Sequence, residues 1–196
     1  MNKTDKCRIC RKMGEKLFLK GDKCNLPTCP FTRRSYAPGQ HGGKGGRQRR
    51  ASDYKMQLVE KQKARAIYNI SEVVLRSYYT RARKEKGATG QILMDLLESR
   101  ADNVIYRASW KSSRRDARQS ISHGLVKING RNNKSSNLIT KKGDKLEIKE
   151  ISTDVKRDVP SWIKVKGKSL EIVSNPEYDK DQSIINEQLI IEYYSR

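Results

Sequence analysis

From about Ser52 onward, apolar positions recur at helical spacing. Ser52 or Asp53 can cap a helix in which Met56, Val59, Lys63 and Ile67 fall on one face. A second helix is expected from Ser71, with Glu72 in its first turn and Val74, Leu75, Tyr78 and Tyr79 turned inward. After Gly87, "TGQILMDLLESR" predicts a third, with Ile92, Leu93, Leu96 and Leu97 facing a core. Tyr68, Tyr78 and Tyr79 sit at core spacing and are read as packing residues. Past residue 98 the elements shorten. "SRADNVIYRASW" and "SSRRDARQSISHG" predict two short helices, the second capped by Ser112 or Ser113 and ended by Gly124. "LVKINGR" alternates and runs into Asn129-Gly130, a favoured hairpin turn. "NLITKKGDKLEIKE" predicts two more strands around Lys142-Gly143-Asp144, and "WIKVKGKSLEIV" a further one. The pattern is α+β: helices first, then a small unit of two helices and a short antiparallel sheet.

Composition changes this picture by saying where the chain is bare of apolar residues. Of 196 residues only 35% are hydrophobic and 33% are charged, so cores must be modest. No run approaches the roughly 18 apolar residues that span a bilayer. "MNKTDKCRIC" lacks the apolar segment of a secretory signal, which points to an intracellular, reducing setting where structural disulfides are uncommon. The formal net charge is +21, and it is uneven: +11 over residues 1–50, +4 over 51–100, +7 over 101–150 and −1 over 151–196. Such self-repulsion is relieved by a polyanion, and nucleic acid fits better than an anionic membrane because no basic stretch carries a clean apolar face.

All four cysteines, Cys7, Cys10, Cys24 and Cys29, lie in that most basic quarter. Two close pairs separated by a short loop suit a tetrahedral zinc ion, with an iron–sulfur cluster as the alternative donor chemistry. A thioredoxin-like redox pair lacks its βαβ context, and four unligated thiols remain the plain reading. Lys6, Arg8, Arg11, Lys12 and Lys23 would offset the charge of four thiolates, and a site closed by four protein ligands would be structural. The following "PFTRRSYAPGQHGGKGGRQRRASD" is too rich in glycine and proline for regular structure. It fails as a phosphate-binding P-loop: counting back from Lys44, the first glycine would be Pro38, and Gly45 stands where Ser or Thr is needed. What remains is a basic segment in which Arg33, Arg34, Lys44, Arg47, Arg49 and Arg50 can hold phosphates. In the later unit, Arg114, Arg115, Arg118 and Gln119 cluster on overlapping helix faces while Ile121 and Leu125 turn inward. With Lys127 and Asn129 on the adjacent hairpin they form a candidate phosphate-and-groove reader.

At these residues a family resemblance emerges. "SRADNVIYRASWKSSRRDARQSISHGLVKINGR" resembles the S-four RNA-binding module, which also occurs in some tRNA synthetases and pseudouridine synthases. "YAPGQHG", "SDYKMQLVEKQKARAIY" and the terminal "INEQLIIEYYSR" are similar to the bacterial small-subunit ribosomal S-four family, over essentially the whole chain and with no room for an appended enzyme domain. The cysteine segment resembles the zinc-binding version of that family. Many members do without one or more of these cysteines, so the metal is implied as a local staple.

The resemblance implies a non-enzymatic cytoplasmic protein of the small ribosomal subunit. It would bind rRNA directly at a multi-helix junction of the 5′ domain and help nucleate assembly. It would contact neighbouring protein S-five at an interface linked to accuracy, and place Lys44, Arg47, Arg49 and Arg50 near the channel through which mRNA enters. The implied division is a zinc knuckle and basic loop over residues 1–45, a helical domain over 46–97 plus 176–196, and the RNA-binding module with its strand extension over 98–175. Gln40, His41, Tyr54, Lys61, Arg65, Arg100, Ser113 and His123 complete the candidate RNA-binding set. No membrane or small-molecule substrate is implied. An rRNA-modifying enzyme would need a catalytic constellation, and the only histidines are His41 and His123, with no evident carboxylate pair. A free RNA-binding factor carrying the module would need neither the cysteine segment nor the returning tail.

Overall fold

Serines set where three of the helices begin. A computed structural model describes residues 6–39, 42, 52–152, 157–176, 178 and 184–196. Helix α1 spans Lys6–Met13 and α2 Pro30–Arg33, with a 3-10 turn at Gly21–Cys24 between them. The long helices follow as α3 (Asp53–Tyr68), α4 (Glu72–Lys84) and α5 (Thr89–Glu98), then the shorter α6 (Ala101–Arg107) and α7 (Arg114–Ser122), and finally α8 (Glu187–Ser195). The hydroxyls of Ser52, Ser71 and Ser113 accept from the backbone N–H three residues on, each at 3.3 Å, which satisfies one orphan donor per helix. Asn69 closes α3 at φ 52°, a left-handed cap that asparagine tolerates.

Helices α3, α4, α5 and α8 enclose one core containing Ala64, Tyr68, Leu75, Tyr79, Leu93 and Ile190. Tyr79 and Tyr194 stack with ring centroids 4.9 Å apart. Helices α5 and α8 touch closely at Gly90, where a Cβ would lie 2.7 Å from Glu187 Cγ. The expected apolar face of α3 is corrected. Of the four residues expected on it, Lys63 is buried and Val59 and Ile67 are half-buried, but Met56 is 42% exposed, and Gln57, Glu60 and Lys61 are buried in addition, beside Ala64 and Tyr68. The reason is a polar partner surface. Gln57 donates to Glu192 at 3.0 Å, the Glu60 carboxylate accepts the Asn186 N–H at 2.7 Å, and Lys63 Nζ lies 3.0 Å from Glu60, Glu15 and the Ile184 carbonyl.

The second core lies between α6, α7 and one face of an antiparallel sheet. Its strands are β1 (Val126–Ile128), β2 (Arg131–Asn132), β3 (Lys145–Ile148), β4 (Ile163–Lys166) and β5 (Ser169–Ile172), in the order β2-β1-β3-β5-β4. Inward positions alternate with exposed ones, as in Val126 and Ile128 or Leu146 and Ile148. Asn129 and Gly130 at φ 49° and 76° make the two-residue turn between β1 and β2. Two expectations are corrected here. "NLITKKGDKLEIKE" forms one strand rather than two, because Ile139 only bridges Arg100 and the Thr140 N–H and hydroxyl are both taken by the Ser99 carbonyl. "WIKVKGKSLEIV" forms a hairpin, β4 and β5, turning at Gly167 (φ 58°).

The N-terminal segment has a small core of its own, in which Cys10 and Leu17 pack on Ala66 of α3. Within the stretch expected to be irregular, Pro30 opens the helical turn α2, as its fixed φ allows at a first helical position.

Candidate nucleic-acid interface

The helical body and the sheet-bearing module meet around Glu98, which is 2% exposed. Its carboxylate accepts from Tyr68 Oη at 2.6 Å, from Asn103 Nδ2 at 2.8 Å, and from Arg107 through Nε and a terminal nitrogen at 2.9 Å each. Burial alone would raise the Glu98 pKa. The charges of Arg107 and Arg114 and these hydrogen bonds outweigh it and hold the group at about 2. Burial, followed by the Glu98 charge, pushes the Tyr68 hydroxyl well above its usual value. Arg114 donates to Asn103 Oδ1 at 2.7 Å and lies over the Tyr68 and Tyr106 rings at 4.9 and 4.4 Å. Arg157 also lies over Tyr106, at 4.4 Å. Arginine and tyrosine thus alternate across the junction of α3, α6 and α7. Arg118 adds a bond of 2.7 Å to the Asn69 carbonyl at the end of α3.

This geometry sorts the candidate RNA-binding residues. Arg100 is corrected: it is 0% exposed, pairs with Asp102 at 2.7 and 3.0 Å, and donates to Tyr78 and Asn137. A guanidinium with no solvent access and every nitrogen hydrogen-bonded offers no exposed donor in this fold. Lys61 is corrected for the same reason, being buried with Nζ 3.0 Å from Glu72 and 4.1 Å from the centroid of the Tyr193 ring. The Ser113 hydroxyl is buried and caps α7. Arg65 is half-buried against Gln62 and Glu72. Arg114 and Arg118 are half-buried and committed to internal bonds, contrary to the expectation of donors turned wholly outward. Tyr54 is exposed against Tyr193, and Asn129 binds Asp144 and the Lys145 N–H. Arg33, Arg34, Gln119, His123 and Lys127 are exposed, and Lys127 stands opposite Glu147 on β3. Gln40, His41, Lys44, Arg47, Arg49 and Arg50 lie outside the described residues.

What the fold brings together is Arg115 and Gln119 of α7 with Lys6, Lys20 and Lys23 of the N-terminal segment, around a cleft of about 380 Å³. Burial, then the Arg115 and Lys20 charges, lowers the Lys6 pKa. Lys20 escaped the sequence reading, and Lys6 and Lys23 were assigned only to balancing thiolates. Between 91 and 108 residues separate them from the start of α7 at Arg114, so no local pattern signals the meeting.

The four cysteines are free thiols; Cys10, Cys24 and Cys29 are buried and Cys7 half-buried. Burial pushes the Cys10 and Cys24 thiols up. At Cys29 burial also acts upward, but the Phe31 and Thr32 N–H groups at the start of α2 outweigh it and lower the pKa. The donor set, four thiols from one small segment, suits a thiophilic ion. Among the described residues, however, no three His, Cys, Asp or Glu side chains are disposed around a common ion position. No helix among them is long and apolar enough to cross a membrane.

Comparison with known proteins places this geometry in context. Residues 1–98 match the family described as ribosomal protein S4/S9 N-terminal domain, and residues 99–146 match the S4 domain. The chain is 44% identical to small ribosomal subunit protein uS4 of Solidesulfovibrio magneticus, over 97% of each chain. It is 45% identical to uS4A of Nitrosomonas europaea over 100% of this chain and 99% of that one. Against uS4 of Thermus thermophilus the identity is 43%, over 97% of this chain and 96% of the relative. This chain belongs to the small ribosomal subunit protein uS4 family.

Proposed function

We propose that the protein is a structural component of the small ribosomal subunit that binds its rRNA directly and carries out no catalysis. The observation that carries this reading is the cationic cleft of Lys6, Lys20, Lys23 and Arg115, in a chain similar to uS4 proteins along its whole length. A-form RNA hides its base edges in a deep, narrow major groove, so such a surface reads backbone geometry. The target is a multi-helix junction in the 5′ domain, where binding helps nucleate assembly. Lys44, Arg47, Arg49 and Arg50 would serve the channel through which mRNA enters, and a contact with S-five would bear on accuracy. The test is affinity for a 5′-domain junction RNA against an arbitrary duplex at moderate salt. Preference for the junction, with log affinity falling as log salt rises, is expected. Equal affinity would overturn the reading.

The division into residues 1–45, 46–97 with 176–196, and 98–175 is supported by separate apolar clusters around Cys10, Leu75 and Leu146. Cys7, Cys10, Cys24 and Cys29 hold one structural zinc, which would staple a segment too poor in apolar residues to close a large core. Elemental analysis of protein purified without added metal should find about one zinc per chain. Visible absorbance from an iron–sulfur cluster would replace that assignment.

A further inference from the structure

Asn129 closes one end of the β1–β3 ladder with its side chain as well as its backbone. The ladder pairs Val126 with Ile148, Lys127 with Glu147 and Ile128 with Leu146. One residue further, the Asn129 N–H donates to the Lys145 carbonyl at 2.8 Å. The return bond is different: the Lys145 N–H donates to Asn129 Oδ1 at 2.9 Å, so a side-chain carboxamide takes the place of a backbone carbonyl. Its Nδ2 donates to Asp144 Oδ1 at 2.9 Å. Asp144 is itself fixed, because its Oδ2 accepts the Lys141 N–H at 2.7 Å. Both polar atoms of the carboxamide are therefore committed, although Asn129 is exposed.

The next residue is Gly130, at φ 76°, and no other asparagine in the chain is followed by glycine. Glycine has no Cβ to shield its nitrogen. In an open chain that nitrogen attacks Asn129 Cγ, and a C–N bond forms as the Cγ–Nδ2 bond breaks. The proton of the Gly130 nitrogen passes through water to the leaving group, which departs as ammonia. Water then opens the cyclic imide at either carbonyl, leaving aspartate or isoaspartate at position 129. In the fold, swinging Cγ onto the Gly130 nitrogen breaks both carboxamide hydrogen bonds.

We infer that Asn129 is a deamidation site that the fold latches shut and that opening of this end of the β1–β3 ladder releases. The inference does not depend on what the protein binds. A carboxylate at position 129 still accepts from Lys145, but it has lost the donor to Asp144, and two like charges face each other. Isoaspartate adds a methylene to the main chain of a two-residue turn, so the pairing of Ile128 with Arg131 slips. A chain whose module has opened is thereby marked, and it cannot close as before.

Peptide mapping by mass spectrometry of the full chain, aged in mildly alkaline buffer, tests this. Wild type aged folded should deamidate at Asn129 at least about tenfold more slowly than wild type aged in urea. Asp144→Ala, aged folded, should deamidate about tenfold faster than folded wild type, since it removes a hydrogen bond to a charged group. Equal rates for folded and unfolded wild type would overturn the latch, and that comparison needs no variant should Asp144→Ala fail to fold. An Asp144→Ala protein with unchanged circular dichroism and no faster deamidation would overturn it as well. Isoaspartate must appear among the products; aspartate alone would mean direct hydrolysis and would overturn the imide route.

Discussion

The module and the helical body are held together by different physics. Between α6, α7 and the sheet, the buried side chains are Val104, Ile105, Trp110, Ile121, Leu146 and Ile172, and their stabilisation scales with apolar area removed from water. Between α3 and α8 the buried residues include Gln57, Glu60, Lys61 and Lys63, each bonded to a specific partner. An apolar core forgives small shifts, whereas a polar seam is satisfied in one arrangement and leaves charges unpaired in others. The helical body therefore holds α8 in a defined register against α3, and the Glu98 network extends that polar logic to the module.

The largest effect should come from the apolar side. Trp110 is 1% exposed, and its indole N–H donates to the Gly167 carbonyl at 3.1 Å. Trp110→Ala removes the ring and its hydrogen bond, so urea unfolding should show a loss of about 4 kcal/mol. A loss below about 1 kcal/mol would mean that the module core is loosely packed and the contrast drawn above is wrong.

Next in size is Glu98. Its folded pKa of about 2 lies below the ordinary 4.5, so it contributes stability that is present above the ordinary value. That contribution, about 3 kcal/mol, should fade as pH falls from about 4.5 towards 2. Glu98→Gln should be less stable than wild type by a similar amount at neutral pH, with the gap closing in acid. A gap independent of pH would show that the carboxylate's charge is irrelevant and that the network is held by shape.

This contrast also explains what could be read from the sequence. Strand alternation at Val126, Ile128, Leu146 and Ile148, and the caps at Ser52, Ser71 and Ser113, are local signals, and the elements follow them. The face of α3 departs from the expected one because Gln57 and Glu60 are buried through partners more than 120 residues away, which no periodicity of hydrophobicity can register. Arg100 reads as a nucleic-acid ligand for the same reason: its type is right for phosphate, and only the fold reveals Tyr78 and Asn137 around it. Of the candidate interface, the cationic character and α7 were legible. The docking of the N-terminal segment was not, since Gly21 and Ser112 meet only in three dimensions.

Neighbours on α7 sharpen the comparison further. Arg114 lies over two tyrosines and bonds to Asn103, whereas Arg115 opens into the cleft. Arg114→Ala should lower thermal stability by about 1.5 kcal/mol, as loss of one charged hydrogen bond and its ring contacts demands. Arg115→Ala should leave stability within about 0.5 kcal/mol of wild type while weakening RNA binding. Equal melting losses for the two would erase the distinction between the internal and the cleft-lining side of the helix.

The smallest effect is the most discriminating for the polar seam. Met56 carries the apolar character that marks a core position, yet it is 42% exposed and the buried side of α3 turns away from it. Met56→Gln breaks the apparent apolar stripe and should change unfolding free energy by no more than about 0.5 kcal/mol, since glutamine is an equally good helix former and little area is uncovered. Glu60 shows the opposite mismatch. It is polar, buried and bonded to the Asn186 N–H at the start of α8, so Glu60→Ala should cost about 2 kcal/mol by leaving that donor and Lys63 short of a partner. A costly Met56→Gln beside a harmless Glu60→Ala would restore the amphipathic reading of α3 and move its interface with α8 by a third of a turn.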